Sequence, residues 1–171
     1  NYKCMKYIFV LILVFAFKVM FAQDYVLTVD DKKNEPMLMG TVSRALLTEN
    51  SFGEWFKKSY DIHKLDRKTL DKVSKDFSGL TITIILGTWC GDSKEFVPPF
   101  LKILDSLSFP EQSVKLICVN RQKVGIADEV KDIEVKLVPL FIFYRDGKEI
   151  GRIIESPKQG LEKDFLNITT E

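Results

Sequence analysis

The chain has one histidine, His63, and three cysteines, Cys4, Cys90 and Cys118. So small a set excludes a His-rich metal site and a disulfide-rich scaffold. Nine glycines and six prolines in 171 residues are too few for a collagen-like or low-complexity chain. Charge of one sign is lacking as well. With 25 basic and 24 acidic residues the formal charge is +1, which leaves no electrostatic footprint for a nucleic-acid partner. No internal repeat, Gly-rich phosphate loop or paired-carboxylate arrangement stands out. What is there, 46% hydrophobic and 29% charged residues, is the composition of one ordinary globular domain.

The first 22 residues contain Lys3, Lys6 and Lys18 and no acid, and Met5-Lys6 is a more natural opening than Asn1. From Tyr7 to Phe17 the run YIFVLILVFAF carries no charge. A basic start, a short apolar core and a small residue, Ala22, at the end read as a secretory signal peptide. The run falls well short of the roughly 20 apolar residues that span a bilayer, so an uncleaved anchor is the lesser alternative. Export, periplasmic or extracellular, is therefore expected, with no stable membrane span after processing. Cleavage removes three lysines and leaves 22 basic against 24 acidic residues, a net charge of −2. It also removes Cys4. An oxidising compartment makes the chemistry of the two remaining thiols meaningful.

Residues 24–40 read as a polar, extended lead-in. A short helix is expected over Thr41–Glu49. A second is expected to be capped by Ser51 with Glu54 three residues on, placing Phe52, Trp55, Phe56, Tyr60 and Leu65 on one face. Asp66 reads as the cap of a third, with Leu70, Val73 and Phe77 inward. After Ser78-Gly79 the pattern changes. Leu80–Leu86 (LTITIIL) is a β-branched run typical of a strand buried on both faces. Beyond the turn at Gly87–Ser93, Phe96, Phe100, Ile103, Leu104 and Leu107 repeat at helical spacing, with a kink expected at Pro98-Pro99. Val114–Val119 and Leu140–Tyr144 read as strands, and residues 125–135 as an ambiguous stretch or short helix. Asp146-Gly147 signals a hairpin into a strand over Glu149–Glu155, and a closing helix covers Gly160–Ile168. The order implies a small α/β domain with a mixed sheet.

The sharpest chemical signal is Trp89-Cys90-Gly91-Asp92-Ser93. Cys90 stands where a buried strand ends and a helix begins. Unpaired backbone N–H groups and the macrodipole favour negative charge there, and the thiolate is a thiol's reactive form. Ser93, three residues on, brings a hydroxyl within reach of that sulfur. Asp92 works the other way, since a carboxylate beside a thiol opposes its ionisation. The bland alternative for Cys90 is an inert buried thiol. Cys118, inside the apolar run VKLICV, reads as a small buried hydrophobe. His63 lies far in sequence from Cys90 and reads as an exposed helix-end residue. The aromatic set Phe52, Trp55, Phe56 and Tyr60 reads as core packing.

From about Leu80 to Ile168 the chain resembles the thioredoxin fold. The marks are Trp89-Cys90-Gly91-x-Ser93 after the central strand, Pro98 at the helix kink, Val138-Pro139 before a strand, the Asp146-Gly147 hairpin and Gly151 in the last strand. The resemblance implies a three-layer α/β architecture with a mixed central sheet. In this chain it carries an N-terminal, largely helical extension over 23–78, after a signal peptide at 1–22 and before the thioredoxin-like domain at 79–171. It also implies that Pro139 is cis and faces the Cys90 sulfur, and that Val138 offers backbone hydrogen bonds to substrate. Two departures go together. Ser93 replaces the family's second cysteine, so Cys90 has no internal resolving thiol. Ile84 stands where the family carries a buried acid.

The expected chemistry is thiol–disulfide exchange through Cys90 and Ser93, with Trp89, Val138 and Pro139 shaping the docking surface and Asp92 modulating it. The partners would be protein or small-molecule thiols and disulfides, plus an external thiol reductant, with no nucleic acid, no metal and no cofactor. Such a site suits isomerisation or deglutathionylation better than net dithiol reduction. The alternatives are a redox-inactive binding or scaffolding module on the same fold and a sensor whose Cys90 is oxidised to a sulfenic acid.

Overall fold

The computed structural model describes residues 24–170. The expected signal peptide, with Cys4, lies outside the described residues. Strand β1 (Tyr25–Asp30) and β2 (Glu35–Val42) are followed by α1 (Arg44–Thr48), α2 (Asn50–Ile62) and α3 (Arg67–Leu70). Then come β3 (Leu80–Leu86), α4 (Gly91–Ser106), β4 (Val114–Cys118), β5 (Leu140–Arg145), β6 (Lys148–Ile154) and α5 (Leu161–Thr170). The six strands form one mixed sheet in the order β1-β2-β4-β3-β5-β6. β3 runs parallel to β4 and antiparallel to β5.

Side chains alternate across a strand, so the sheet has two differently built faces. Ile82, Ile84 and Leu86 of β3, Leu116 and Cys118 of β4, and Phe141 and Phe143 of β5 point to one side. There they meet Leu47, Phe52, Phe56, Leu70, Val97, Phe100 and Phe165, so the five described α-helices pack on this side. Phe100 of α4 is its hub, with its ring centroid 4.5 Å from Phe141 and 6.1 Å from Phe165. Ile85, Ile117, Val119, Leu140 and Ile142 point to the other side, where Val130, Ile133, Val135 and Val138 of the segment after β4 cover them. The third layer of the α/β sandwich is irregular chain.

Four sequence expectations change. Residues 25–42 form a β-hairpin, and β2 joins the sheet through Gly40–Cys118, Thr41–Ile117 and Val42–Leu116. The described stretch 24–78 is therefore a strand pair followed by three helices instead of the largely helical extension expected over 23–78. Its pairing partner lies far along the chain, beyond the reach of local periodicity. Ser51 lies inside α2, whose N-cap is Glu49 with no side-chain cap bond. Thr81 is exposed and Thr83 half-buried, so β3 is covered on both faces only at its Cys90 end. Residues 125–135 contain no helix. Short turns there compete with helix formation: Ala127 N–H donates to Glu129 Oε2 at 2.9 Å, and Ile133 N–H to Val130 O at 3.0 Å. Asp66 does cap α3, accepting from Thr69 N–H at 3.2 Å. α4 runs unbroken through the buried Pro98 and Pro99. The Asp146-Gly147 turn joins β5 to β6, both residues having positive φ as a tight hairpin requires.

Candidate active site at the end of β3

β3 delivers the chain into the turn Gly87-Thr88-Trp89-Cys90. The Cys90 N–H donates to Gly87 O at 2.9 Å, and the Gly87 N–H donates to Ser93 Oγ at 3.2 Å. Gly87 is required here because a Cβ would sit 2.6 Å from Cε2 of the Trp89 indole. Thr88 is buried and its Oγ1 accepts the Leu38 N–H of β2 at 3.2 Å. The turn is thus closed on itself and tied to the hairpin.

Cys90 is the N-cap of α4 and is half-buried. Its sulfur makes no cap bond to the helix. The thiol donates to Val138 O at 3.3 Å, while Asp92 Oδ2 lies 3.9 Å from the sulfur. The Val138–Pro139 bond is cis and Val138 is buried. The structure therefore gathers Trp89, Cys90, Asp92, Val138 and Pro139 around one sulfur.

Ser93 behaves differently from the sequence expectation. It is fully buried, and its hydroxyl oxygen is engaged by the Gly87 N–H instead of by Cys90. One turn into α4 the side chain faces the core and closes the turn, so its contribution to the site is to hold the loop. Ile84, in place of the family's acid, is fully buried on the helix-covered face. Cys118 is on that face too, fully buried, and burial pushes its thiol pKa up. Cys90 packs on the opposite side of the sheet. Cys118 is no partner for it without unfolding.

His63 caps the C-terminus of α2 and is half-buried, with its Nε2 2.8 Å from Glu162 Oε1. The expectation of an exposed histidine is corrected: Glu162 of α5 draws the ring inward. Phe52 and Phe56 are core, with Trp55 and Tyr60 packed against it.

Two residues escaped the sequence reading. The Trp89 Nε1–H donates to Val119 O at 2.8 Å, and the Arg121 guanidinium lies 4.7 Å above the Trp89 ring. Arg121 Nε and Nη2 in turn donate to Asp30 Oδ1 and Oδ2 at 2.6 and 2.8 Å. Asp30 is 1% exposed at the end of β1. The Arg121 bond holds the Asp30 carboxyl below the usual carboxylate range. The same bond raises Arg121, and Asp31 and Cys90 act on it in the same direction. Ninety-one positions separate the pair, and no local signal joins them.

Among the described residues no cluster of three or more His, Cys, Asp or Glu side chains is placed to hold a metal. Nor is any described helix long and apolar enough to cross a membrane.

A solved structure of a protein of unknown function from Pseudomonas aeruginosa superposes with a TM-score of 0.50 over 75% of this chain and 87% of that one. At 12% identity it speaks for the fold alone. A thioredoxin-like protein of Acanthamoeba polyphaga mimivirus is 31% identical over 88 residues, 52% of this chain and 61% of that one. A thioredoxin of Aspergillus fumigatus is 25% identical over 105 residues, 61% of this chain and 92% of that one. The chain thus spans less than two thirds of the viral relative's length. A thioredoxin family model matches residues 45–164. That match runs from α1 into α5 and takes in the whole Cys90 turn, and on it the chain belongs to the thioredoxin family.

Proposed function

We propose that the protein carries out thiol–disulfide exchange with Cys90 as its single nucleophile. The general redox role of the thioredoxin family supports this reading. The observation that carries it is the partition of the two thiols: Cys90 half-buried on the loop-covered face, Cys118 fully buried on the other. The Cys90 thiolate attacks one sulfur of a substrate disulfide. A new S–S bond forms, the old one breaks, and the second substrate sulfur leaves as a thiolate. An external thiol, deprotonated, then attacks the substrate sulfur of the mixed disulfide and releases Cys90 as thiolate. The substrate leaves as a disulfide with that external thiol, or closes a different disulfide of its own when one of its own thiols resolves the adduct. Val138, Pro139 and Trp89 form the rim on which a substrate chain docks, and the α4 N-terminus favours the anionic sulfur. Export belongs to the same proposal and rests on the basic start and the apolar run Tyr7–Phe17.

The other reading, a redox-inactive binding module, draws on Asp92. Its carboxylate oxygen lies 3.9 Å from the sulfur, where it accepts from the protonated thiol. A trapping experiment separates the two. Wild type and Cys90→Ser are expressed in full, and disulfide-linked adducts are identified by mass spectrometry. Adducts on wild type that vanish in Cys90→Ser are expected. Their absence from both proteins would leave the binding module.

A further inference from the structure

Asp92 stands in the first turn of α4, half-buried, with Oδ2 3.9 Å from the Cys90 sulfur. The α4 macrodipole favours an acid in this turn but leaves its oxygens to find their own donors. Among the described residues the Cys90 thiol is the only donor that the carboxylate meets, and no basic side chain lies within ion-pair distance of it. Cations of the neighbouring elements are engaged elsewhere. Lys94, two residues on, pairs with Glu35 at 4.0 Å and lies 6.0 Å from the Trp55 ring centroid. Arg121 donates to Asp30 at 2.6 and 2.8 Å. Lys136 pairs with Glu134 at 2.9 Å, and Arg152 with Glu149 at 2.6 Å. A second acid follows β6: the Glu155 N–H donates to Pro139 O at 2.7 Å, which sets this residue beside the docking rim.

An ionised carboxylate is an acceptor only, and its oxygens need donors. The thiol supplies one while Cys90 is protonated. Exchange removes it, because neither the thiolate nor the mixed disulfide carries a proton on sulfur. Asp92 then stands beside the reacting sulfurs without a donor, and the substrate is the group brought within its reach. In the mixed disulfide the substrate sulfur lies about 2 Å from Cys90 Sγ. A nitrogen two carbons beyond that sulfur is on a link long enough to fold back to a carboxylate 3.9 Å from Sγ. A charged nitrogen makes the stronger, charge-assisted bond. We propose that Asp92 is a specificity-determining residue of the Cys90 site, selecting disulfides that carry a cationic nitrogen close to the reacting sulfur over neutral and acidic ones. The proposal rests on the reading of Cys90 as a nucleophile and names the substrate class of that site. Cystamine is the simplest such disulfide. The Cys90 thiolate attacks one of its sulfurs, the S–S bond to the aminoethyl sulfur forms, and the original S–S bond breaks. The Cys90 sulfur is oxidised to the disulfide. The departing sulfur is reduced, leaves as 2-aminoethanethiolate and takes a proton from water.

The test compares rates of mixed-disulfide formation, read by intact mass, for three disulfides of similar size. Cystamine is cationic, bis(2-hydroxyethyl) disulfide neutral and dithiodipropionate anionic. Cys90→Ser supplies the background. Each rate is divided by that of the neutral compound in the same protein, so any change in the Cys90 thiol itself cancels. Asp92→Asn is expected to lower the cystamine ratio about threefold and to raise the dithiodipropionate ratio by a similar factor. In wild type, high salt should shrink both differences. Unchanged ratios in a folded Asp92→Asn protein would overturn the proposal. Should that variant not fold, wild-type ratios that ignore salt would do the same. Disulfides of the capped dipeptides Arg-Cys and Ser-Cys distinguish the sources of the nitrogen. An Asp92-dependent preference for Arg-Cys assigns the site to basic protein segments, and a preference confined to cystamine assigns it to small amines. Failure of Cys90 as an exchange nucleophile shows separately, as a wild-type protein that forms no adduct with any of these disulfides.

Discussion

The two faces of the sheet use the same strands for opposite purposes. On the helix-covered face, Phe100, Phe141, Phe143 and Phe165 interlock, all fully buried, and the five described α-helices supply the cover. On the loop-covered face no described helix contributes; branched aliphatic residues of three strands lie under irregular chain, and Trp89 and Cys90 sit at its edge. Ring-on-ring packing under regular structure gives stability at close to crystal density. A cover of turns holds fewer buried contacts and leaves backbone groups such as Val138 O facing the Cys90 thiol. The described residues place one thiol on each face, and the environment leaves Cys118 fully buried and Cys90 half-buried.

The contrast can be broken most severely at its hub. Phe100→Ala should cost about 3–5 kcal/mol by leaving a cavity among three other rings, whereas Val130→Ala on the loop-covered face should cost about 1–2 kcal/mol. Urea melts of both variants measure the gap, and equal losses would erase the distinction. Next comes Cys118→Ser. Placing a hydroxyl at this fully buried position should cost about 1–3 kcal/mol while leaving the Cys90 alkylation rate unchanged. A fall in that rate would mean that the two faces communicate.

Acid provides a third test. The folded pKa of Asp30 lies below its ordinary value of 3.8 because Arg121 bonds the charged form. Its contribution to stability is therefore complete above 3.8 and is lost as pH falls through the folded value. Asp30→Asn should lower the melting temperature by roughly 5 °C at neutral pH, and its deficit relative to wild type should shrink below pH 3.8. A deficit independent of pH would assign the loss to packing. The smallest effect belongs to Asp92→Asn, which removes a negative charge 3.9 Å from the sulfur. Cys90 alkylation at neutral pH should rise about threefold. No change would show that the carboxylate is already screened by water.

Where local chemistry decides, the sequence was legible. The β-branched run of β3, the Asp66 cap, the Asp146-Gly147 turn and the strand-to-helix position of Cys90 each depend on neighbours within a few residues. Local pattern fell short in two ways elsewhere. The β1–β2 hairpin presents Val26, Leu27 and Val29 to solvent and finds its sheet partner in β4, so its apolar pattern resembles neither a core strand nor a helix. Over 125–135 helical propensity lost to side-chain and backbone turns. Ser93 was rightly placed one turn beyond Cys90. The direction of its hydroxyl depended on the Gly87 N–H, which the turn brings within reach.

The sequence by itself determined that this chain carries a cysteine at a helix start with a serine three residues on, because both are properties of a short stretch. It also determined that the strand entering that turn is apolar and carries no acid at Ile84. The sequence read Cys118 as buried from its apolar run; the tertiary structure decided that it faces the helices while the Cys90 turn packs on the other side of the sheet. Only the tertiary structure brought Asp30 and Arg121 together over Trp89. Charges so far apart in the chain meet only when the sheet closes, and no local pattern records where the sheet will put them.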